Sequence, residues 1–180
     1  MDSNHCDDDA VLANTAPSAV PSTAKILIAG GFGIGVDDID GLSAKTTTTV
    51  AMDFGRISFR NQLVLYLFGT PGQERFWFMW DDLAVGAIGA VIMADTRRIG
   101  DCFASIDYFE RNGLPFIIAV NCFDGAPRFE PADIRIALAL SPEIPVVLCD
   151  ARASNSVKVV LVSLVKHVMA RKRVNTASRG

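Results

Sequence analysis

The sequence predicts an α/β fold of three layers, with helices on both faces of a mostly parallel sheet that carries one antiparallel hairpin. Three observations lead there. Short apolar runs of strand length alternate along the chain with segments whose apolar residues fall at helical spacing. Two of these runs empty directly into glycine-bearing turns, at Gly30 and Gly69, which is how parallel sheets present ligand-binding loops. A short polar turn, Arg60-Asn61-Gln62, separates two β-rich runs and makes them a hairpin.

Bulk properties bound the rest. The chain has 180 residues, half of them hydrophobic, and a mean hydropathy of +0.30, enough for a large core. Its net charge of -3 argues against a nucleic-acid-binding surface. Cys6, Cys102, Cys122 and Cys149 lack metal-type spacing and read as reduced thiols of a cytoplasmic protein. Asp7-Asp8-Asp9 stand where a secretion signal needs basic residues, and no apolar run approaches membrane-spanning length. Residues 1–23, acidic and then rich in Ala, Ser, Pro and Thr, read as a disordered tail. Residues 24–173 read as one domain and 174–180 as a short polar tail.

Taken in order, residues 24–29 form a buried strand that runs into the glycines GGFGIG (30–35). Glycines there let backbone N–H groups turn inward around phosphate oxygens. Gly30 and Gly35 have the spacing of the fixed glycines in GxxxxGK[ST], but Val36 and Asp37 replace the lysine and the hydroxyl. Only ten residues, 36–45, then precede the threonines Thr46–Thr49. They carry no helical stripe, and an average helix takes about 11–12 residues. A first helix is therefore expected to be missing, with an extended loop of up to ~33 Å in its place. Residues 46–59 read as β-rich, with a bulge near Gly55, and pair with the run 63–68. Gly69-Thr70-Pro71-Gly72 end that strand. In residues 75–87, Phe76, Met79, Trp80 and Leu83 form a core-facing stripe. Trp77 and Phe78 lie off it, either as further core or as a partner surface.

AIGAVIMA (87–94) is the next strand. Asp101 can cap a helix with the stripe Cys102, Phe103, Ile106 and Phe109, and Gly113 and Pro115 stop it. LPFIIAV (114–120) is a strand ending in Asn121-Cys122-Phe123-Asp124. Pro131 opens a short helix to Leu140. PVVLC (145–149) is the last strand, followed by Asp150-Ala151-Arg152. The final helix, from Ser154 or Asn155 to about Arg173, carries Val157, Val160, Leu161, Leu164, Val165, Val168 and Met169 on one face, with His167 off it.

Four segments, GGFGIG, TPGQE (70–74), NCFD (121–124) and DAR (150–152), resemble in content and order the motifs of Ras-like small GTPases, which are P-loop NTPases. TTTTVAMDFGRI and LYLFGTPGQERFWFMWDDL are similar to the small GTPases of actinobacterial conservon operons. The resemblance implies GTP or GDP bound with Mg²⁺. Gly30, Gly31, Gly33 and Gly35 would surround the phosphates, Gly72 would sense the γ-phosphate and Gln73 would orient the attacking water. Thr48 would ligand the metal, although a threonine-rich strand edge is an equal reading. Asn121 and Asp124 would hold the guanine base, with one carboxylate accepting both N1–H and N2–H. The backbone of Ala151 would contact the base oxygen. The resemblance also implies a cytoplasmic switch, membrane-associated through partners: a roadblock-type regulator, a sensor-kinase-like membrane protein and a small helix-turn-helix protein. This chain departs from the Ras-like pattern at Gly69, where an aspartate is usual, and at Val36, Asp37 and Cys122. Two readings follow: a GTP-binding switch capable of hydrolysis, and a degenerate domain that binds protein partners without turnover.

Overall fold

The computed structural model describes residues 22–30, 53–59, 63–71 and 74–177. Six strands form one sheet in the order β2-β3-β1-β4-β5-β6. They are β1 (Ser22–Gly30), β2 (Phe54–Phe59), β3 (Leu63–Gly69), β4 (Ala87–Ala94), β5 (Phe116–Asn121) and β6 (Val146–Cys149). Every pairing is parallel except β2 with β3, the expected hairpin. That ladder runs from Phe54 opposite Phe68 to Phe59 opposite Leu63 without a shift, so the bulge expected near Gly55 does not form. The other described helices are α1 (Trp80–Ala84), α2 (Phe103–Arg111), α3 (Pro131–Ala137) and α4 (Ser154–Ala177). The expectation of a missing first helix falls on residues 36–45, outside the described residues.

Because the central strands are buried on both faces, they read as unbroken apolar runs and feed two cores. Ile26, Ile28, Val91, Met93, Ile117 and Ala119 face α4, whose Val157, Val160, Leu161, Leu164 and Val168 complete that layer. Leu27, Ala90, Ile92, Ile118 and Val120 face the opposite way and meet Leu83, Ile106, Phe109 and Ile134. Gly89 lets α4 settle onto the sheet. A Cβ there would stand 2.8 Å from the Pro115 carbonyl and 3.1 Å from both Leu164 and Val168.

Helix detail differs from the sequence expectations at several points. The stripe after the β3 turn begins as a 3₁₀ helix, Glu74–Met79, and becomes α-helical only at Trp80. Trp80 and Leu83 are buried as expected, while Trp77 is 38% and Phe78 73% exposed. Asp101 does not cap α2. It lies in a 3₁₀ turn, Ile99–Cys102, and pairs with Arg98 at 2.9 Å. That turn shifts the helical phase and leaves Phe103 exposed while Cys102, Ile106 and Phe109 are buried. α3 stops at Ala137 rather than Leu140, because Ala139 adopts φ 49° and the Arg135 guanidinium holds the Ser141 and Ile144 carbonyls at 3.0 and 2.6 Å. α4 continues past Arg173 to Ala177, since no glycine or proline interrupts it. On it Met169 is exposed, and His167, expected off the apolar stripe, is buried with no hydrogen-bond partner for Nε2.

Candidate functional site

Parallel pairing brings the C-terminal ends of β1, β3, β4, β5 and β6 to one edge of the sheet. From β1 the chain goes to the edge strand β2, returns to β3 beside β1, and then crosses to β4 on the other side of β1, so the edge above β1 is the topological switch point where such sheets bind ligands. Gly30 ends β1 opposite Met93, and Asn121 ends β5 opposite Cys149. Two strand spacings separate β1 from β5, about 10 Å. Of the residues singled out in the sequence, Gly30, Asn121, Asp124 and Ala151 therefore share this edge. Gly31, Gly33, Gly35, Thr48, Gly72 and Gln73 lie outside the described residues.

The turn after β3 is tied down from two sides. The Thr70 N–H donates to the Ile28 carbonyl at 2.8 Å, with its hydroxyl at 3.3 Å from the same oxygen. On the other side the Trp80 indole N–H donates to the Pro71 carbonyl at 3.1 Å. Trp80 in turn stacks on Phe109 and meets Tyr108 edge-on, with ring centroids 5.9 and 5.0 Å away. The turn is thus anchored through α1 to α2, and Trp77 and Phe78, exposed, precede Trp80 in the chain.

At the other end, the loops after β5 and β6 are joined by a side chain. The Ala151 N–H donates to Asn121 Oδ1 at 3.0 Å, and both residues are buried. The Cys122 N–H donates to the Cys149 carbonyl at 2.7 Å and extends the ladder beyond the strands. The bond from the Ala151 N–H to Asn121 holds the two loops together. Asp124 points outward, its side chain 86% exposed. Its carboxylate accepts from Arg152, Nη1 to Oδ2 at 2.8 Å and Nη2 to Oδ1 at 3.3 Å. The same guanidinium binds Asp150 through Nε at 3.0 Å and Nη2 at 3.1 Å. Hydrogen bonds from Arg152 hold both carboxyls below the usual range.

Beside Asn121, Asp95 follows β4 and is clamped by Arg97, with Nη2 to Oδ2 at 2.6 Å, which lowers the Asp95 pKa. The Arg97 guanidinium lies 4.6 Å from the centre of the Phe123 ring, a cation–π contact. Sequence reasoning passed over Arg152 and Arg97 as functional groups. The signal was the repeated Asp-x-Arg, 95–97 and 150–152, each directly after a strand.

Burial pushes the Cys102 and Cys149 thiols up to about 12, so neither is a nucleophile near neutral pH. Among the described residues no cluster of three or more His, Cys, Asp or Glu is placed to hold a metal ion. An apolar cavity of ≈ 10 Å³ under the first turns of α4, lined by Ile28, Met93, Cys149 and Val157, is a packing gap too small for a ligand. What the described part of the edge offers is the outward carboxylate of Asp124, an acceptor for paired N–H donors beside the fixed Asn121. No helix among the described residues is long and apolar enough to cross a membrane.

No curated protein matches the chain. A family model described as "conserved hypothetical ATP binding protein" matches residues 33–171, from inside the glycine run to the last helix. With the loops after β5 and β6 and the whole sheet beyond β1 inside that match, the chain belongs to this nucleotide-binding family of P-loop NTPases.

Proposed function

We propose that the chain is a guanine-nucleotide-binding switch protein whose base end is intact and whose phosphate end is reduced, so that it binds nucleotide without efficient turnover. The observation that carries this reading is the Asn121–Ala151 hydrogen bond, which fixes the loop from which Asp124 projects. A carboxylate so placed accepts both donors of the guanine edge. Adenine offers it one donor and one acceptor, which leaves an oxygen facing a lone pair. GTP or GDP therefore fits Asp124 better than ATP does. At the phosphate end, Val36 and Asp37 remove the lysine and hydroxyl that neutralise phosphate charge and hold Mg²⁺, and transfer of a phosphoryl group depends on that neutralisation. The exposed Trp77 and Phe78 beside the β3 turn supply the aromatic surface by which such a switch engages a protein partner, of the roadblock or sensor-kinase kind, at a membrane.

The test is displacement of a fluorescent GDP by GTP or ATP, with a phosphate-release assay beside it. GTP should displace more effectively, Asp124→Ala should erase the preference, and hydrolysis should stay at background. Equal displacement by ATP and GTP would sink the guanine assignment. Measurable hydrolysis abolished by Gln73→Leu would replace the reduced phosphate site with a working GTPase.

A further inference from the structure

We propose that Arg152 is an intramolecular substitute for the base edge, which occupies Asp124 when no base is present and sets how sharply the site selects guanine. The inference rests on the reading of Asp124 given above. A guanidinium presents parallel N–H donors in a fixed plane, and a purine edge with N1–H and N2–H presents the same pair. Arg152 places its two Nη groups on the two oxygens of Asp124, at 2.8 and 3.3 Å. These are the acceptor atoms a guanine would take, so arginine and base are alternatives at one carboxylate.

Release of Arg152 leaves no stranded charge. Asp150 already holds it through Nε and Nη2, and the Arg152 N–H also donates to Asp150 Oδ1 at 3.0 Å. Asp150 is itself fixed at the start of α4, its N–H donating to Ser156 Oγ at 3.0 Å. The guanidinium can therefore give up one carboxylate while keeping its other, anchored one. The Asp124 pair is open to solvent, with side chains 60% and 86% exposed, and exposed pairs are weak. The competition it imposes is about two- to fivefold, enough to tune a site and not to close it.

The discriminating probes are GDP and IDP, which lacks the 2-amino donor, titrated to millimolar concentration against NMR shifts of wild type, Arg152→Ala, and Arg152→Ala with Asp124→Asn. GDP needs both Asp124 oxygens whereas IDP, with one donor, can leave the other to Arg152, so the GDP-over-IDP affinity ratio should rise about two- to fivefold in Arg152→Ala and collapse in the double variant. High salt, which screens the Arg152–Asp124 pair, should raise the wild-type ratio towards that of Arg152→Ala. A loss of loop structure or of phosphate attraction would weaken both nucleotides alike and leave the ratio unchanged. That unchanged ratio, with wild type still preferring GDP, overturns the role of Arg152 and leaves the guanine reading standing. A ratio of one in wild type and Arg152→Ala alike, or binding of neither nucleotide by either, overturns both.

Discussion

The two ends of the candidate site are fastened by different means. The base end is joined by a buried, neutral hydrogen bond from a side chain to the backbone, Asn121 to Ala151. The β3 turn is held by an aromatic side chain reaching out of a cluster, Trp80 to Pro71, with Trp80 backed by Tyr108 and Phe109. A bond between the ends of two adjacent strands keeps its geometry as long as the sheet does. An anchor routed through α1 and α2 moves when those helices move, so the β3 turn is the end suited to reporting to a partner. Within the base end the same contrast recurs on a smaller scale, since Asp124 and Arg152 face solvent beside the buried Asn121.

The contrast breaks most strongly at Trp80. Trp80→Ala removes a buried ring and the hydrogen bond to Pro71, and should cost about 3–5 kcal/mol in denaturant unfolding. Trp77→Ala, from a partly exposed ring 5.7 Å from Trp80, should cost less than half as much. Equal losses would place Trp77 in the core and remove it from the partner surface.

A smaller effect is expected at the base end. Asn121→Ala leaves the buried N–H of Ala151 without its acceptor, at a cost of about 1–3 kcal/mol. Guanine preference should fall with it, while amide exchange at Thr70 should not change. If Thr70 exchange accelerates too, the two ends are one mechanical unit and the comparison fails.

The smallest effect separates the two base-end contacts by pH. The Asp124 carboxyl titrates below its unfolded value of 3.8 because of the Arg152 hydrogen bonds. A depressed folded pKa contributes stability above the unfolded value, and that contribution is lost as pH falls through the folded one. The Asp124–Arg152 pair should not change between about pH 7 and 5, where Asp124 stays ionised in both states. As pH falls through the lowered Asp124 pKa, below 3.8, the Asp124–Arg152 pair should open while the neutral Asn121–Ala151 bond persists. Carbon-detected NMR titration of the Asp124 carboxyl should show a higher midpoint in Arg152→Ala, and an identical midpoint would mean that the pair does not form in solution.

How much of this was legible varied with the physics behind each feature. β4 was read to the residue, because Ala87–Ala94 is an unbroken run of apolar and small residues, buried from Gly89 on and bounded by Gly86 and Asp95. The 3₁₀ start after the β3 turn was not, since a spacing of three residues fits a three-residue repeat as well as a 3.6-residue one. His167 seemed an off-stripe residue because helical phase does not say how much of a helix its neighbours cover. In the site, Asn121 and Asp124 were visible as a spaced pair, but the hydrogen bond from the Ala151 N–H to Asn121 was not.

By itself the sequence determined the α/β class, the hairpin and the strand ends at which the polar residues fall. Each of these follows from local facts: the length of an apolar run, a glycine where a ladder must stop, a polar turn between two strands. Tertiary structure alone decided which of those residues meet. Asp124 and Arg152 are 28 residues apart along the chain, and Asn121 and Ala151 are 30. They touch because β5 and β6 pair in parallel with Asn121 opposite Cys149, a register that depends on the cores above and below the sheet. A carboxylate's sequence position says that it can accept two donors, and only the packing of strands decides whether a guanidinium already supplies them.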